Sequence, residues 1–568
     1  MSEDEVGRVA REVFGWAVER PGLGEAMRAL VAGGDVLAIM PTGYGKSSIY
    51  EVTGTVLGGV TIVVSPLIAL QEDQVRTLGE VTDAPPAVAL NSSHGAAAER
   101  ASWRRIEQAG AGFVFLAPEQ LANESVRGRL AALQVRLFVV DEAHCVSSWG
   151  HDFRPDYLGL GDAIEALGHP PVLAMTATGA SPVRDEIVER LGMRDHQLIA
   201  RGFDRPNLHI AVVRHESDAD KRRAVREQVE HLETDARQTG LVYVATRKDT
   251  QQYSAELQAA GIRSAGYNGG MPAGERQAVY EQFIGDETDV VVATSAFGMG
   301  IDKPDVRFVV HAAVTDSIDS YYQEIGRAGR DGQPAAVTLH YRPEDFALTS
   351  FFEGGEPDRE KVERMFGAIV AAPGVTRPEL AVALDAHERA IARLLGLLED
   401  AGVVADEAGR LTAIDVSPAE AADRASRHAE TRQRIEQSRA ALMREFAETR
   451  SCRRQVLLGY FGENLPEPCG NCDTCDSGSA YEQAARSGAG AFAVASDDHV
   501  EQAARNGEAA FAIDDHVEHA SWGPGVVMRV ESDRITVFFG QEGYRVLSLT
   551  DVERHHLLTV TPPPPPAG

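Results

Sequence analysis

The stretch Leu137–Trp149 constrains the fold of this chain more than any other, because it joins a buried-strand pattern to paired acids. It reads LFVVDEAHCVSSW, so a run of apolar residues ends directly in Asp141 and Glu142. An apolar strand of this kind is typical of a parallel sheet that is covered on both faces. Two carboxylates at the carboxyl end of such a strand suit a bound Mg²⁺ and a water molecule. The pattern predicts an α/β fold with a ligand site at the edge of its sheet.

A phosphate-binding loop precedes these acids. The segment PTGYGKS follows a predicted strand at Val36–Met40 and ends in Lys46 and Ser47. In such a loop the lysine reaches the outer phosphates, the hydroxyl ligates Mg²⁺ and the glycines expose backbone N–H groups to the anion. The remaining cofactor-binding candidates of the loop are Thr42, Gly43, Gly45 and Ser48. Met40 stands where the full pattern has its first glycine, so a tight structural turn is the alternative interpretation.

The acid pair completes a predicted nucleotide site. Asp141 would hold Mg²⁺, directly or through water, and Glu142 would polarise the attacking water. An acid pair that only caps a helix is the alternative, but it does not explain why the loop and the acids occur in this order. Together the two signals predict a nucleoside triphosphatase.

Composition agrees with a soluble enzyme of several domains. A chain of 568 residues is expected to hold about three to five domains. No apolar run is long enough to cross a bilayer, and we expect no signal peptide in the charged start MSEDEVGRVARE. Five cysteines in so long a chain favour a reducing compartment. The net charge of −30 predicts that nucleic-acid contacts are confined to local grooves and that nonspecific binding is weak and salt-sensitive.

Strand and helix patterns alternate in two series. The first runs from Val36 to about Arg201, the second begins near Gly240, and FDRPN at Phe203–Asn207 reads as the linker between them. The second series has no phosphate loop but carries IGRAGRDG, in which Arg327 and Arg330 lie three residues apart. Arginines placed in this way stabilise charge on a transferring phosphoryl group. We therefore predict two lobes that close on a nucleotide in the cleft between them and open after hydrolysis.

These motifs resemble, in type and order, those of the RecQ family of superfamily 2 helicases over roughly Arg20 to Asp476. The segments that carry the resemblance are RPGLGEA at Arg20–Ala26, PTGYGKS at Pro41–Ser47, SPLIALQEDQV at Ser65–Val75, APEQL at Ala117–Leu121, DEAH at Asp141–His144, TAT at Thr176–Thr178, ATSAFGMGID at Ala293–Asp302 and YYQEIGRAGRDG at Tyr321–Gly332. The resemblance implies an ATP-dependent 3′–5′ DNA helicase with two RecA-like lobes and with Arg20 and Asp302 among its nucleotide contacts. It also implies strand contacts by Ser65, Pro66, His144, Thr246, Arg247 and Thr294.

The most family-specific segment is CVSSWGHDFRPDY, which begins at Cys145 directly after DEAH. In the RecQ family it forms an aromatic-rich loop that couples DNA binding to hydrolysis. Trp149, Phe153 and Arg154 are suited to stack on bases or grip a strand, at about 1–3 kcal/mol for each stacked base. The alternative is that Trp149 and Phe153 are core residues. We interpret Cys145 as a packing residue.

One position departs from the family pattern. The family usually has a glutamine after the glycine of the first segment, where it reads the adenine edge, and this chain has Leu23. A leucine side chain cannot donate and accept the paired hydrogen bonds that identify adenine. We therefore predict looser base selectivity than is usual in the family.

A second strong pattern indicates a metal site. Cys469, Cys472 and Cys475 lie in PCGNCDTC, and Cys452 lies upstream. Four thiolates are sufficient for a closed tetrahedral Zn²⁺ site, which folds a segment and leaves no open position for catalysis. Reduced surface thiols are the alternative. In the RecQ family the matching cysteines bind zinc.

The segment Thr376–Leu411 has the outline of a winged helix placed before the cysteines. Its predicted recognition helix, around His387–Glu399, is only modestly basic, so packing and duplex contact are both open. In better-known RecQ proteins a winged helix follows the zinc site instead. A long helical stretch, Ala421–Arg454, is expected to brace the cysteines.

Beyond Asp476 the composition changes. An Ala-, Gly- and Ser-rich stretch predicts a flexible linker, with DDHVEQA at Asp497–Ala503 repeated as DDHVEHA at Asp514–Ala520. From His519 to Leu549 the apolar and polar residues alternate, which predicts a small β-barrel. It resembles the Tudor-like module of UvrD and PcrA helicases that docks on RNA polymerase, with Trp522 either packing or binding a ligand. This tail and the zinc segment together are similar to the actinobacterial RecQ-like helicases called RqlH.

The predicted fold class is α/β, with two RecA-like parallel-sheet lobes, a helical/winged-helix insertion, a zinc-binding segment and a small C-terminal β-barrel. The predicted domains are a first lobe at 1–203, a second lobe at 204–351, a winged-helix-like domain at 352–415, a helical zinc-binding domain at 416–476, a linker at 477–510, a Tudor/SH3-like barrel at 511–560 and a disordered tail at 561–568. The predicted function is helicase activity on single-stranded and forked DNA in repair or recombination, with ATP, Mg²⁺ and Zn²⁺ as cofactors. The alternative is a DNA-stimulated ATPase that remodels nucleoprotein or transcription complexes. We expect a cytoplasmic, nucleoid-associated monomer, with RNA polymerase as a possible partner of the barrel.

Overall fold

The computed structural model describes residues 3–16, 20–66, 68–91, 95–147, 154–179, 181–236, 238–297, 303–346, 357–407, 410–486, 511–530 and 534–562. Within this part of the chain, no helix combines the length and the apolar character that a bilayer crossing needs.

The first lobe is a seven-stranded parallel sheet. Its strands are β1 (Val36–Ile39), β2 (Val60–Val64), β3 (Ala87–Leu90), β4 (Gly112–Leu116), β5 (Val135–Val140), β6 (Val172–Thr176) and β7 (Gln197–Ala200). Its helices are α1 (Glu3–Glu12), α2 (Leu23–Val31), α3 (Ser47–Leu57), α4 (Ile68–Glu80), α5 (Ala96–Ala109), α6 (Pro118–Leu121), α7 (Glu124–Ala131), α8 (Leu160–Ala166) and α9 (Ser181–Leu191).

The strand order of this sheet, β3-β4-β2-β5-β6-β1-β7, explains where the motifs meet. Strand β6 pairs in parallel with both β5 and β1. The acids after β5, the TAT segment at the end of β6 and the phosphate loop after β1 therefore lie side by side at the carboxyl edge, where open parallel sheets bind their ligands.

The second lobe repeats this architecture with six parallel strands in the order β10-β11-β9-β12-β13-β8. The strands are β8 (Leu208–Arg214), β9 (Gly240–Tyr243), β10 (Ser264–Tyr267), β11 (Val290–Ala293), β12 (Phe308–His311) and β13 (Ala335–Tyr341). The helices are α10 (Asp218–Ala236), α11 (Arg247–Ala259), α12 (Ala273–Ile284) and α13 (Ile318–Ile325). The central strands are buried and largely apolar, as two-sided burial requires, although β12 ends in His311 and β13 contains Thr338 and His340.

Three helices and a two-stranded hairpin follow the second lobe and share one apolar core. They are α14 (Arg359–Ala371), α15 (Arg377–Leu384), α16 (Glu388–Asp400), β14 (Val404–Glu407) and β15 (Arg410–Ala413). Thr376 and Glu379 form a capping box that starts α15. The 31-residue helix α17 (Pro418–Glu448) closes this core with three alanines, Ala421, Ala422 and Ala425.

The zinc segment, defined here as residues 449–476, contains α18 (Arg453–Tyr460) and α19 (Asp473–Asp476), and α20 (Ser479–Arg486) follows it. The C-terminal sheet, defined as the described residues of 511–562, has five antiparallel strands in the order β19-β18-β17-β16-β20. Its elements are β16 (His516–His519), β17 (Gly523–Val530), β18 (Arg534–Phe539), β19 (Gly543–Ser548), α21 (Leu549–His555) and β20 (Leu558–Thr561). Because the two end strands, β19 and β20, do not pair among the described residues, the expected barrel is present as an open antiparallel sheet.

The strand-like apolar runs in the sequence are Val36–Met40, Val60–Ser65, Phe113–Ala117, Leu137–Val140, Val172–Met175, Leu241–Ala245, Val290–Thr294, Phe308–His311 and Ala336–Tyr341. Several strands of the structure lie outside these runs. They are β3, β7, β8 and β10, of which β8 directly follows the predicted linker and forms an edge of the second sheet. The predicted flexible linker after Asp476 also differs, because α20 occupies its beginning. Residues 487–510, with the first DDHVE copy, and residues 563–568 lie outside the described residues.

Candidate nucleotide and zinc sites

The phosphate loop is shaped by two glycines and two side-chain contacts. Gly43 and Gly45 have φ values of 76° and 98°, which glycine adopts without strain. The Nη1 atom of Arg20 donates to the carbonyl of Gly43 at 2.9 Å, and the Nζ atom of Lys46 donates to the carbonyl of Met40 at 2.8 Å. Contacts within the first lobe therefore hold the loop in this conformation.

A cavity of about 1030 Å³ lies between the two lobes. The predicted nucleotide residues that line it are Arg20, Thr42, Gly43, Gly45, Lys46, Ser47, Ser48, Asp141, Glu142 and Arg330. Arg330 reaches it from the second lobe, and a Cβ atom built on Gly43 would lie 3.1 Å from Cδ of Arg330. Asp302 lies outside the described residues, although Pro304 beside it lines the cavity. The lobes therefore face one another across a shared site.

Arg327 is placed differently. It is 3% exposed and is not among the described side chains that line the cavity. Its charge instead lies near the buried phenol of Tyr243 inside the second lobe, where burial raises the pKa of that phenol and Arg327 lowers it. The structure thus brings one of the two predicted arginines to the cavity.

The two acids differ in their surroundings. The pKa of Asp141 is raised to about 7. Burial is the main cause, the charge of Glu142 also raises this pKa, and Lys46 lowers it. Glu142 has a φ of 49°, a left-handed conformation that turns the chain sharply after β5. The Ser47 hydroxyl lines the same cavity, and hydroxyl and carboxylate oxygens are the ligands that Mg²⁺ prefers. The donor set therefore fits a divalent cation between Ser47 and Asp141.

His144 connects the acids to the TAT segment. It is 1% exposed, and its Nδ1 atom lies 3.0 Å from Oγ1 of Thr176 and 3.4 Å from Oε2 of Glu142. The Thr176 hydroxyl donates to the carbonyl of Thr178 at 2.7 Å. This burial disfavours the predicted contact of His144 with a DNA strand. The imidazole instead links the neighbouring motifs.

The other predicted strand contacts divide by exposure. In the second lobe Thr246 and Arg247 are exposed and Thr294 is half-buried, and they follow the paired strands β9 and β11. In the first lobe Pro66 and Arg154 are half-buried. Ser65 is 2% exposed, and its side chain lies beside Asp141, where it lowers the pKa of that carboxyl group. Trp149 and Phe153 lie outside the described residues.

Several cavity residues were not predicted as nucleotide contacts, among them Trp16, Glu51 and Gln74. Trp16 stacks on Phe14 with ring centroids 4.9 Å apart, and its sequence signal is an aromatic residue just upstream of the RPGLGEA segment. Glu51 is 7% exposed, and burial raises its pKa to about 7. Leu23 also lines the cavity and is 6% exposed, so its side chain is apolar where the family reads adenine.

The four predicted zinc ligands converge. The sulfur atoms of Cys452, Cys469, Cys472 and Cys475 all lie within 4.8 Å of one another, and those of Cys469 and Cys475 are 3.9 Å apart. Zn–S bonds of about 2.3 Å in a tetrahedron place sulfur atoms about 3.8 Å apart. The four thiols therefore fit a closed Zn²⁺ site after sulfur shifts of about 1 Å or less. Cys145 lies elsewhere in the first core and is fully buried, as predicted for a packing residue.

The zinc segment is anchored on β8 of the second lobe. The Nη2 atom of Arg454 donates to the carbonyl of Leu208 at 2.6 Å, and the backbone N–H of Val212 donates to Asp473 at 2.9 Å. Asp473 also accepts from Nε of Arg453 at 2.5 Å. Metal binding thus fixes a segment that supports an edge of the second sheet.

Family comparisons agree with this geometry. A family described as DEAD/DEAH box helicase matches residues 21–186, and the helicase conserved C-terminal domain matches residues 220–332. The RecQ zinc-binding family matches residues 414–476, which include all four cysteines. The chain is also 33% identical to the probable ATP-dependent DNA helicase RecS of Bacillus subtilis over 469 residues, which cover 82% of this chain and 90% of RecS. The chain belongs to the RecQ family.

Longer RecQ proteins show the same likeness over part of their length. The chain is 32% identical to the ATP-dependent DNA helicase RecQ of Pasteurella multocida over 467 residues, which cover 82% of this chain and 61% of that protein. It therefore spans less than two thirds of that relative. Membership of the RqlH group stays a prediction.

Solved structures share the fold. The DEAD-box helicase Mss116 bound to ssRNA and UDP-BeF superimposes with a TM-score of 0.51 at 16% identity and covers 69% of this chain and 88% of its own. The helicase MrfA bound to DNA gives a TM-score of 0.50 at 18% identity, over 73% of this chain and 60% of its own. At these identities the likeness concerns the arrangement of the two lobes.

Proposed function

We propose that this RecQ-family chain is an ATP-dependent DNA helicase that moves 3′ to 5′ on single-stranded DNA and acts on forked DNA in repair or recombination. The observation that carries the proposal is the packing of Arg330, from the second lobe, on the phosphate loop of the first. A site divided between two lobes can complete itself only when they are correctly apposed. ATP hydrolysis is thereby tied to lobe movement.

The residues of the cleft have distinct roles in this proposal. Lys46 and the N-terminus of α3 bind the phosphates, and Arg330 stabilises charge on the transferring phosphoryl group. Asp141 and Ser47 would hold Mg²⁺, which neutralises phosphate charge when bound. Glu142 orients and polarises the attacking water. We expect the base to pack against Trp16 and Leu23, which line the cavity.

The strand path follows the carboxyl edges of the two sheets. Thr246, Arg247 and Thr294 of the second lobe lie close to one another because β9 and β11 are paired. Hydroxyl and guanidinium groups of this kind bind phosphate oxygens and carry no sequence preference. DNA contact of this type matches an acidic chain, whose net charge of −30 leaves only local grooves for a strand.

Strand displacement on defined substrates tests the proposal. We expect ATP hydrolysis that rises with single-stranded DNA, and displacement of a duplex that carries a 3′ tail but not of one with only a 5′ tail. Lys46→Ala should abolish both activities, because no other described side chain offers an ammonium group to the phosphates. DNA-stimulated hydrolysis with no displacement of any duplex would instead favour the remodelling ATPase, and hydrolysis that DNA does not change would contradict both.

We also infer that the two end strands of the C-terminal sheet, β19 and β20, are available to a protein partner such as RNA polymerase. Val546 and Val560 on this sheet are 45% and 51% exposed. Co-elution of the chain with purified RNA polymerase, lost in Val546→Asp, is the expected result. The same column would test the proposed monomer, and imaging of a tagged chain would test nucleoid association.

A further inference from the structure

Arg184 joins three separate parts of the chain. It lies on α9, shortly after the TAT segment, and is 9% exposed. Its Nε atom donates to the carbonyl of Gly179 at 2.7 Å, and its Nη2 atom donates to the carbonyl of Phe461 at 3.2 Å. Its Nη1 atom lies 3.6 Å from the carboxylate of Asp514. One guanidinium therefore touches the first lobe, the zinc segment and the C-terminal sheet.

On the side of the first lobe, these contacts continue to Glu142, which is proposed to polarise the attacking water. Gly179 follows Thr178, whose carbonyl accepts the hydroxyl of Thr176. Thr176 in turn lies 3.0 Å from His144, which is 3.4 Å from Glu142. A displacement of Arg184 would therefore shift the segment Thr176–Gly179, which contacts His144 and through it Glu142.

On the opposite side, Phe461 rests on the hinge between the lobes. Its ring stacks on Phe203 in the predicted linker, with ring centroids 4.8 Å apart and planes 2° apart. It also packs on Tyr322 at 4.6 Å, and the Tyr322 hydroxyl donates to the carbonyl of Phe203 at 2.9 Å. Tyr322 lies on α13, which leads into the loop that carries Arg330.

The C-terminal sheet is held firmly enough to act on Arg184. Glu542 accepts from Arg434 of α17 at 3.0 Å. The rings of Tyr544 and Tyr460 lie 6.3 Å apart, and the Tyr460 hydroxyl donates to Asp319 of the second lobe at 2.5 Å. The sheet thus contacts the zinc segment, which is itself joined to the second lobe, while Asp514 reaches the first lobe. The sheet therefore contacts the first lobe directly and is connected to the second lobe through the zinc segment.

We propose that Arg184 is a positioning residue that couples the DNA-driven movement of the lobes to the acids of the cleft, with Asp514 of the C-terminal sheet as its anchor. The inference rests on the proposed function, since it concerns how DNA stimulates hydrolysis. A guanidinium suits this position because its planar fork donates in several directions at once, which a lysine cannot do. Burial lowers the pKa of Arg184 and Asp514 raises it, so the anchor favours the charged form.

A double-mutant cycle in the full-length chain tests the coupling. Asp514→Asn, Arg184→Lys and the double variant are compared with the wild type for ATP hydrolysis with and without single-stranded DNA. We expect Asp514→Asn to lower the DNA-stimulated kcat about threefold to tenfold with little change in the basal rate. Because both substitutions disturb one link, the double variant should lose less than the product of the two single losses.

A carboxylate elsewhere in the first lobe supplies the control. Glu107 pairs with Arg129 at 2.5 Å and is 43% exposed, close to the 51% of Asp514, but it has no contact with the zinc segment or the C-terminal sheet among the described residues. Glu107→Gln should leave both rates unchanged. A wild type that DNA does not stimulate would contradict the proposed function itself. A stimulated wild type whose Asp514→Asn variant keeps full stimulation, or loses basal and stimulated rates by one factor, would overturn the role of Arg184 alone.

Discussion

The zinc segment and the nucleotide cleft both gather reactive side chains, but they complete their sites differently. In the zinc segment four sulfur atoms lie within 4.8 Å of one another, and all come from Cys452–Cys475. In the cleft the reactive groups border a cavity of about 1030 Å³. They come from both lobes and lie as far apart in sequence as Arg20 and Arg330. The first site is finished by folding, whereas the second depends on how two lobes are apposed.

The difference separates stability from switching. A closed site with every ligand on one short segment has no part that can move independently. The free energy of zinc binding therefore stabilises the folded form of that segment. A site whose acids and arginine belong to different lobes changes strength with each small rotation. Variants of the two regions should therefore fail in different ways.

The largest expected effect is in the zinc segment. Cys472→Ser removes one of four thiolates, and we expect the zinc content to fall from about one to below about 0.2 per chain, with loss of the thermal transition of that segment. Metal analysis and limited proteolysis measure these changes. Cys145→Ser, at the buried cysteine outside the cluster, should keep its zinc, and retention of full zinc by Cys472→Ser would refute the four-sulfur site.

In the cleft, Arg330→Ala should lower kcat by about 10³-fold while zinc content and melting temperature stay unchanged. The physical reason is the loss of the only second-lobe guanidinium that reaches the cavity among the described residues. Steady-state hydrolysis measures the change. Arg327→Ala is the informative companion, because its buried position predicts lost stability rather than lost chemistry. Equal losses of kcat from both variants would mean that Arg327 also reaches the phosphates after closure.

Glu51 gives the first lobe a pH dependence of its own. Its pKa is raised by burial from 4.5 to about 7, so the unfolded chain ionises first and stability declines as pH rises through this range. Glu51→Gln should therefore stabilise the first lobe by about 2 kcal/mol above pH 7 and have little effect below pH 4.5. Calorimetry at both pH values measures this. A variant that is stabilised equally at both would show that Glu51 keeps its ordinary pKa.

The smallest expected effect concerns base selectivity. Leu23→Gln restores a side chain that can both donate and accept, and we expect the preference for ATP over GTP in kcat/KM to rise about tenfold. Competition between the two nucleotides measures the ratio. Leu23→Met is the matched control, since it changes shape without adding a hydrogen-bonding amide. A wild type that already hydrolyses GTP about a hundredfold more slowly than ATP would assign base reading to another residue.

Sequence patterns predicted those features whose residues lie close together along the chain. The strand before Asp141, the phosphate loop and the four cysteines follow from spacing along the chain, because a strand end or a C-x-x-C turn fixes neighbouring side chains. Strand β8 escaped prediction because it is half-exposed along much of its length and follows a linker-like segment. Trp16 lies beside the cavity only because α1 packs next to α3.

Long-range docking could not be predicted from such patterns. The contact between Arg184 and Asp514 joins residues far apart in sequence. Asp514 opens the repeated segment DDHVEHA, but the repeat does not indicate a partner in the first lobe. Likewise, the separation of Arg327 from Arg330 depends on which way each side chain turns after a short loop. The alternation of residues beyond His519 indicated strands, but it did not indicate that the C-terminal sheet packs on the lobes.

The long helix α17 has one more consequence. Its 31 residues extend for about 46 Å at about 1.5 Å each. Near its start it completes the core of the three-helix insertion, in its middle Ser438 meets the turn at Gly543, and near its end Phe446 packs on Tyr321 of the second lobe. A helix with contacts at three points along its length fixes the distance between the insertion and the second lobe. Any duplex that the insertion held would therefore lie at a set distance from the nucleotide cleft.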